Sequence, residues 1–381
     1  MATREGTWRY RNRFGDSFGR TYFRRFGPGV VSSLGVGTYL GEPTDAVDDR
    51  YREALVTAFE HGINLVDTAV NYRCQRSERV VGRALADADV DRDEVVVATK
   101  GGFVPFDGSR PADPSAYVRR EFLDTGLVSP DDLARGSHCL APDFLDAMLD
   151  RSLSNLAVDR IDLYYVHNPE TQLSARSREA VYDRLERAFT RLEERRAAGD
   201  VGTYGVATWS AFRVLPEHDQ YLSLAEVVAR AEAAADAVGA AEPGLAAIQL
   251  PFNVTMADAF TVAAHGDDDD ADGRGGDGDG RAGDDDGRGR LSALRYAHER
   301  GLHVFTSASI AQGDLARAVP AAVDAELAGD TPAQRALNFA RSAPGVTAAL
   351  VGASRASHVA ENVAAGTFDP LGARAFDAVF E

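Results

Sequence analysis

Two hydrophobic periods take turns along the chain. Short runs rich in Val, Ile, Leu and Ala at 30–38, 63–69, 95–99, 161–167, 201–207, 245–250, 303–307 and 346–351 read as strands buried on both faces. Between them the spacing becomes helical. Tyr51, Leu55, Ala58 and Phe59 recur on one helix face before Gly62, Ser77-Glu78 opens a helix through Leu85, and 142–156, 178–198, 224–238, 291–300, 333–341 and 357–365 follow the same period. Eight strands, each followed by a helix, predict an α/β protein of the (β/α)8 TIM-barrel type rather than an open doubly wound sheet. One domain is expected over 1–381, with its barrel core at about 30–366. Residues 7–29, with aromatic and arginine positions alternating around Phe14-Gly15-Asp16, read as an N-terminal hairpin that plugs or caps part of the domain.

Two segments interrupt the alternation. Residues 103–141 carry Phe103, Phe106, Tyr117, Phe122 and several prolines, enough for an ordered insert over the active-site face and a candidate substrate lid. Residues 266–290 contain only Gly, Asp, Arg and two alanines. Such a tract has no apolar surface to offset its ordering entropy, so a disordered, solvated acidic loop is expected there rather than a calcium site.

Composition narrows the function. With 59 acidic against 41 basic residues the net charge is −18, opposite to the footprint of a duplex nucleic-acid binder. The acidic, lysine-poor balance resembles that of proteins from a high-salt cytoplasm. No apolar run is long enough to span a membrane and the first residues lack a leader-like apolar core, so a cytoplasmic protein is expected. Cys74 and Cys139 have neither metal spacing nor a disulfide framework and read as free thiols.

Lys100 is the only lysine in the chain, and it ends the third strand. A buried ammonium can have its pKa moved by its neighbours, whereas a guanidinium stays charged and presents a wide planar fork. Asp67 and His167 end the strands on either side, and Tyr72 follows Asp67 in the loop above. A carboxylate beside the ammonium keeps it charged, and the ammonium is expected to draw the phenol below its usual pKa of about 10. The phenol then exchanges protons with a carbonyl oxygen that gains charge as hydride reaches its carbon, while His167 donates a hydrogen bond to that oxygen. Two other classes fit single features. A Schiff-base lyase would use Lys100 alone, and a nucleotide-sensing regulatory module would keep the fold with little turnover.

These residues resemble the aldo-keto reductase superfamily. The likeness lies in Gly62-Ile63-Asn64-Leu65-Val66-Asp67-Thr68-Ala69 with Asn71-Tyr72 and Ser77-Glu78, in Thr99-Lys100-Gly101-Gly102, in 161–167, and in Gly352-Ala353-Ser354 with Glu361-Asn362. It implies a barrel that binds NADP(H), with NAD(H) left open, and that interconverts an aldehyde, ketone or sugar with its alcohol. Tyr72 is then the general acid/base, Asp67 and Lys100 its tuning pair and His167 the carbonyl-orienting donor. Gln249 would contact the nicotinamide carboxamide, Glu361 and Asn362 the adenine, and Ser354 and Arg355 the 2′-phosphate, with Gly352 also among the cofactor-binding residues. Ala311-Gln312-Gly313 would form the loop over the pyrophosphate. The implied partner is a small carbonyl compound, with no metal, nucleic acid or membrane. Ala207-Thr208 and Ser307 depart from the pattern, since the family usually has Ser-Asn at the first place and an aromatic ring at the second; Trp209 is a candidate replacement for that ring.

Overall fold

The computed structural model describes residues 1–19, 21–266 and 289–380. It opens with a helix that the alternation concealed. α1 (Arg4–Phe14) is capped by Thr3, whose hydroxyl accepts from the Gly6 N–H at 2.9 Å, and it ends in Arg11 and Arg13, which suit the negative end of the helix dipole. Its period is helical because Gly6, Thr7 and Tyr10 are buried, whereas Trp8 is half-buried beneath Arg11 and Arg25. The expected hairpin is therefore confined to β1 (Phe23–Phe26) and β2 (Gly29–Ser32). The single strand expected over 30–38 is divided at Ser33, its first half closing the hairpin and its second half, β3 (Leu34–Gly37), entering the barrel.

From there the alternation proceeds in sequence. α2 (Asp45–Glu60) leads to β4 (Leu65–Asp67), α3 (Arg76–Asp87) to β5 (Val96–Gly101), and after the 103–141 segment with α4 (Pro114–Val118), α5 (Pro142–Leu156) leads to β6 (Ile161–His167). α6 (Arg178–Ala198) precedes β7 (Val201–Ala207), and α7 (Leu224–Ala237) precedes β8 (Leu245–Pro251). Beyond these come α8 (Asp258–Thr261), the short antiparallel pair β9 (Ala263–His265) and β10 (Leu291–Ser292), then α9 (Ala293–Glu299) and β11 (His303–Ser307). α10 (Ala321–Asp324) and α11 (Pro332–Ser342) lead to β12 (Val346–Gly352), and α12 (Ala356–Ala364) and α13 (Ala373–Asp377) finish the described chain. The expectation for 266–290 lies, apart from its ends, outside the described residues.

Strands β11, β12, β3, β4, β5, β6, β7 and β8 close in that order into a parallel barrel. Its interior is a packed core in which Leu65, Val96, Leu163, Tyr165, Phe305 and Leu350 meet, with Val31 and Phe26 of the hairpin pressed against them from the amino-terminal end. The hairpin thus caps the bottom of the barrel, and α1 is fastened beside it. Tyr10 donates to the Phe59 carbonyl at 2.6 Å, and a Cβ on Gly6 would stand 2.2 Å from the Asp93 carbonyl oxygen, so only glycine allows that approach.

The 103–141 segment is structured and shares a second apolar cluster, including Phe122, Val128, Cys139, Phe144 and Met148, with α5. Cys74 and Cys139 are both free thiols. No described helix is long and apolar enough to cross a membrane, and no metal-competent group of His, Cys, Asp and Glu occurs among the described residues.

Candidate active site

The carboxyl ends of the strands open into a cavity of about 880 Å³ whose wall includes Asp67, Asn71, Tyr72, His167 and Gln249. Parallel pairing sets the first level of the site. Asp67 ends β4 opposite Ala98 of β5, and Lys100 stands two residues further on, opposite Tyr165 of β6, so the two side chains lean toward one another at the barrel mouth. The Lys100 ammonium donates to Asp67 Oδ1 at 2.5 Å and to the Thr68 carbonyl at 2.8 Å. Gln249, on the far side of the barrel, donates its amide to Asp67 Oδ2 at 2.8 Å, so both carboxylate oxygens are held.

Tyr72 sits above this floor because the chain turns sharply after it. Arg73, Cys74 and Gln75 have φ values of 47°, 56° and 67°, a left-handed run that side chains with a Cβ resist. Anchors on both sides hold it: Arg73 is buried against Asp48 and donates to the Glu42 carbonyl at 3.0 Å, and Gln75 donates to the Phe106 carbonyl at 3.0 Å. Strain of this kind persists only where its surroundings over-determine it. The result carries the Tyr72 ring to 5.0 Å from the Lys100 ammonium, 5.9 Å from the His167 ring and 4.9 Å from Tyr39.

The electrostatics correct one expectation. Lys100 directs hydrogen bonds to Asp67 and Thr68, and lies over the face of the Tyr72 ring. Burial, with the Asp67 carboxylate and Tyr39 adding to it, pushes the phenol well above its ordinary value rather than below it. Tyr72 is therefore a protonated donor at neutral pH. Burial draws the Lys100 ammonium below its usual range while Asp67 pulls it back. Burial, and then the charge on Lys100, hold the His167 imidazole well below its usual value, which leaves it neutral at pH 7.

The other expected residues divide. Gln249 and Gly352 line the cavity, as do Ala207, Thr208 and Ser307, the positions that depart from the family pattern, and Trp209, the candidate replacement ring. Gln312 and Gly313 line it too, in a turn where Gln312 has φ 56° and Gly313 φ 104°. Ser354, Arg355, Glu361 and Asn362 are absent from its wall; Arg355 caps α12, Asn362 is buried on that helix, and the Glu361 carbonyl accepts from Gln334. His358, in the first turn of α12, and Arg317 do reach the cavity, and sequence spacing alone gave no signal for either. Of the 103–141 segment only Phe103 reaches the wall, its ring 5.1 Å from that of His167.

Sequence reasoning also missed Glu170. This buried carboxylate accepts from the backbone N–H groups of Trp209 at 2.7 Å and Ser210 at 3.1 Å, and so fixes the loop after β7 against the cavity. Three buried polar atoms on the cavity wall, Asn71 Oδ1, His167 Nδ1 and Thr208 Oγ1, have no partner within the protein. Buried polar atoms are ordinarily satisfied, so these three mark where a polar ligand would be met.

The geometry has counterparts among known proteins. D-threo-aldose 1-dehydrogenase of Pseudomonas sp. is 34% identical over 163 residues, 42% of this chain and 44% of that protein. NADH-specific methylglyoxal reductase of Escherichia coli is 32% identical over 143 residues, 36% of this chain and 38% of that one. The chain spans less than half the length of these curated relatives. An aldo-keto reductase from Bacillus halodurans in its holo form superposes with a TM-score of 0.61 at 20% identity over 95% of this chain and 96% of that one. Another from Klebsiella pneumoniae, in complex with NADPH, gives 0.58 at 18% identity over 95% and 94%. At such identities the likeness carries the fold. The sequence model of the aldo/keto reductase family matches residues 33–226, the stretch from β3 to the start of α7 that contains Asp67, Tyr72, Lys100 and His167. This chain belongs to the aldo/keto reductase family.

Proposed function

We propose that this protein is a cytoplasmic, salt-adapted oxidoreductase that interconverts a small aldehyde or ketone, sugars included, with its alcohol, using NADP(H). The observation that carries the proposal is the arrangement on the cavity wall, where a protonated Tyr72 and a neutral His167 stand together above the buried Asp67–Lys100 pair. The residues fit a nicotinamide nucleotide: Thr208 Oγ1 and Asn71 Oδ1 are orphaned polar atoms on the cavity wall that Gln249 shares, suited to a carboxamide, and Arg317 and His358 line the same cavity. Arg355 and Ser354, at the start of α12 and off the cavity wall, would hold the 2′-phosphate, since a helix amino terminus and a guanidinium both favour an anion.

When bound, the nicotinamide supplies the hydride. Everything else falls to the chain. His167, neutral, donates a hydrogen bond to the carbonyl oxygen and sets its direction toward Tyr72. Tyr72 gives its phenolic proton to that oxygen as charge develops there, and the Lys100 ammonium 5.0 Å from its ring stabilises the phenolate left behind. Asp67, held by Lys100 and Gln249, keeps the ammonium in place. In the oxidative direction the same proton returns.

The test is a titration at high salt with NADPH and NADH followed by a carbonyl and polyol panel, on wild type and Tyr72→Phe. Loss of turnover on the order of 10²-fold or more in Tyr72→Phe, with cofactor affinity held within a few fold, is expected of a lost proton donor. Wild-type-like turnover in Tyr72→Phe would end the assignment.

A further inference from the structure

We infer that His138, in the 103–141 segment, is a positioning residue for His167, holding the strand end that aims its imidazole into the cavity; the inference rests on the oxidoreductase reading above.

The His167 side chain has little to orient it. Its buried Nδ1 has no partner in the protein, and its ring touches Phe103 and Tyr72 through edge contacts alone. Its backbone is held instead. On one side Asn168, in a left-handed conformation with φ 48°, donates its N–H to the Ala207 carbonyl of β7 at 2.6 Å. On the other, the His167 carbonyl lies 2.7 Å from His138 Nε2. His138 also packs edge-on against Phe103, ring centres 4.8 Å apart, and Phe103 packs on the His167 ring. One residue therefore governs both the peptide and the ring wall of His167.

Donor and acceptor roles follow from the partners. Arg176 has only N–H groups to offer, so the Gln172 atom it meets at 2.7 Å is the amide oxygen. The Gln172 nitrogen then faces His138, donating to its carbonyl at 2.9 Å and to Nδ1 at 2.8 Å. Since Nδ1 accepts, the proton of a neutral imidazole is on Nε2, which donates to His167. Burial keeps the ring neutral by drawing its pKa down to about 4.

The backbone at this crossing admits no side chain. Gly102 has φ 149°, and a Cβ there would stand 2.7 Å from the His167 carbonyl oxygen and 3.2 Å from His138 Nε2. Gly102 accepts from Cys139 and Val104 donates to Ser137, each at 2.8 Å, so the two strands of the segment's neck grip His138 between them. The segment is thus clamped at its root to the strand that bears His167.

The test compares His138→Leu, which removes the donor, with His138→Gln, whose amide nitrogen can occupy the place of Nε2. Both are measured with wild type and Tyr72→Phe for melting temperature, NADPH affinity, and kcat and KM on one aldehyde. A misplacement of up to 1 Å can cost about 10²-fold in rate. We expect His138→Leu to lose about ten- to a hundredfold in kcat with NADPH affinity held within about twofold, and His138→Gln to recover most of it. Folded His138→Leu with wild-type kcat overturns the inference, and so does a folded His138→Gln as slow as the leucine variant. If the leucine variant fails to fold, His138→Gln and Gln172→Leu carry the test: near-wild-type kcat in the first with a loss in the second supports it, and any other pair overturns it. Failure of the oxidoreductase reading itself looks different, since wild type would then show no turnover that Tyr72→Phe removes.

Discussion

The two ends of the barrel are built from the same strands and differ in where their unmatched buried polar groups lie, since only those at the carboxyl end line a cavity. At the amino-terminal end the buried amide and carboxylate groups are held in networks, although Tyr22 Oη and Arg92 Nε have no partner. Asn64 accepts from the Ser32 N–H at 2.8 Å and donates to the Val30 and Glu94 carbonyls, each at 3.1 Å. Asp162 accepts from Ala2 N at 2.7 Å, from Val97 N at 2.8 Å and from Arg92 at 2.8 Å. Arg341, almost wholly buried, reaches Asn338, Ser33 and the Phe368 carbonyl. At the carboxyl end, Asn71, His167 and Thr208 each leave a buried atom unmatched on the cavity wall. A satisfied network adds rigidity, and an unmatched one is a cost that only a ligand removes. The division agrees with the general rule that TIM barrels keep stability at the bottom and chemistry at the top.

The Asp67–Lys100 pair blurs that division, being at the functional end and yet hydrogen-bonded at Nζ and at both carboxylate oxygens, so it gives the largest expected effect. Lys100→Met should lose activity on the order of 10²-fold or more, and also about 3–5 kcal/mol of stability because Asp67 is left buried without its cation. Adding Asp67→Leu should return the stability and leave the activity lost. Urea unfolding and steady-state rates on the three proteins measure both; a double variant no more stable than Lys100→Met would mean that the pair is not a buried-charge problem. Lys100→Arg should keep the charge and still fail, since the guanidinium fork is too wide for the place between Asp67 and Tyr72.

The bottom should behave in the reverse way. Asp162→Ala strips the acceptor from two backbone N–H groups and from Arg92, and we expect a loss of about 3 kcal/mol in urea unfolding. The rate at saturating substrate should stay within about twofold, because the chemistry of these barrels is confined to the other end. A large fall in kcat for a folded Asp162→Ala would break the comparison.

What the sequence made legible follows the same division. The barrel strands were readable because runs such as 95–99 and 161–167 are apolar on both faces, and Asp67, Lys100 and His167 because each ends such a run. The boundary at Ser33 was hidden, since Val30, Val31, Leu34 and Val36 are all buried and nothing in their polarity distinguishes the cap from the barrel. α1 was misread because Trp8 and Tyr10 alternate with arginines, although Thr3 before Arg4-Glu5 was an available capping signal. His138, Gln172 and Glu170 act across 29 to 40 residues of sequence, and such partnerships have no local pattern. The sign of the Tyr72 shift needed the burial of the phenol, which spacing does not supply.

Acid should act on buried histidines more than on the bottom network. Burial lowers His138 and His265 to about 4 in the folded protein, and both brace loops at the carboxyl end, His265 by meeting the Phe212 carbonyl and the Leu224 N–H. An unfolded imidazole takes up its proton near pH 6.5, before the folded one does, so stability is full above about 6.5 and falls as the pH drops toward 4. From pH 7 to pH 5 the expected loss is about 2 kcal/mol per imidazole. His303, at the amino end, is shifted by burial in the same direction and adds to it. Urea midpoints at the two pH values for wild type and His265→Gln measure the increment. An unchanged pH dependence in His265→Gln would show that this ring does not contribute.

The smallest expected effect is the sharpest, because its two readouts move apart. Thr208 donates its backbone N–H to the Gln249 carbonyl at 2.8 Å, while its hydroxyl oxygen is buried with no protein partner on the cavity wall. Thr208→Val keeps the shape and removes the hydroxyl. If that group waits for a ligand, the protein alone should be as stable as wild type or slightly more so, since an unmatched buried polar atom is gone. Bound ligand should lose a hydrogen bond of about 1 kcal/mol, roughly a fivefold rise in the NADPH Kd. Fluorescence titration and urea unfolding on one preparation give both values. A less stable valine variant with unchanged Kd would make Thr208 part of the scaffold, and the carboxyl end would then be less different from the bottom than its unmatched atoms imply.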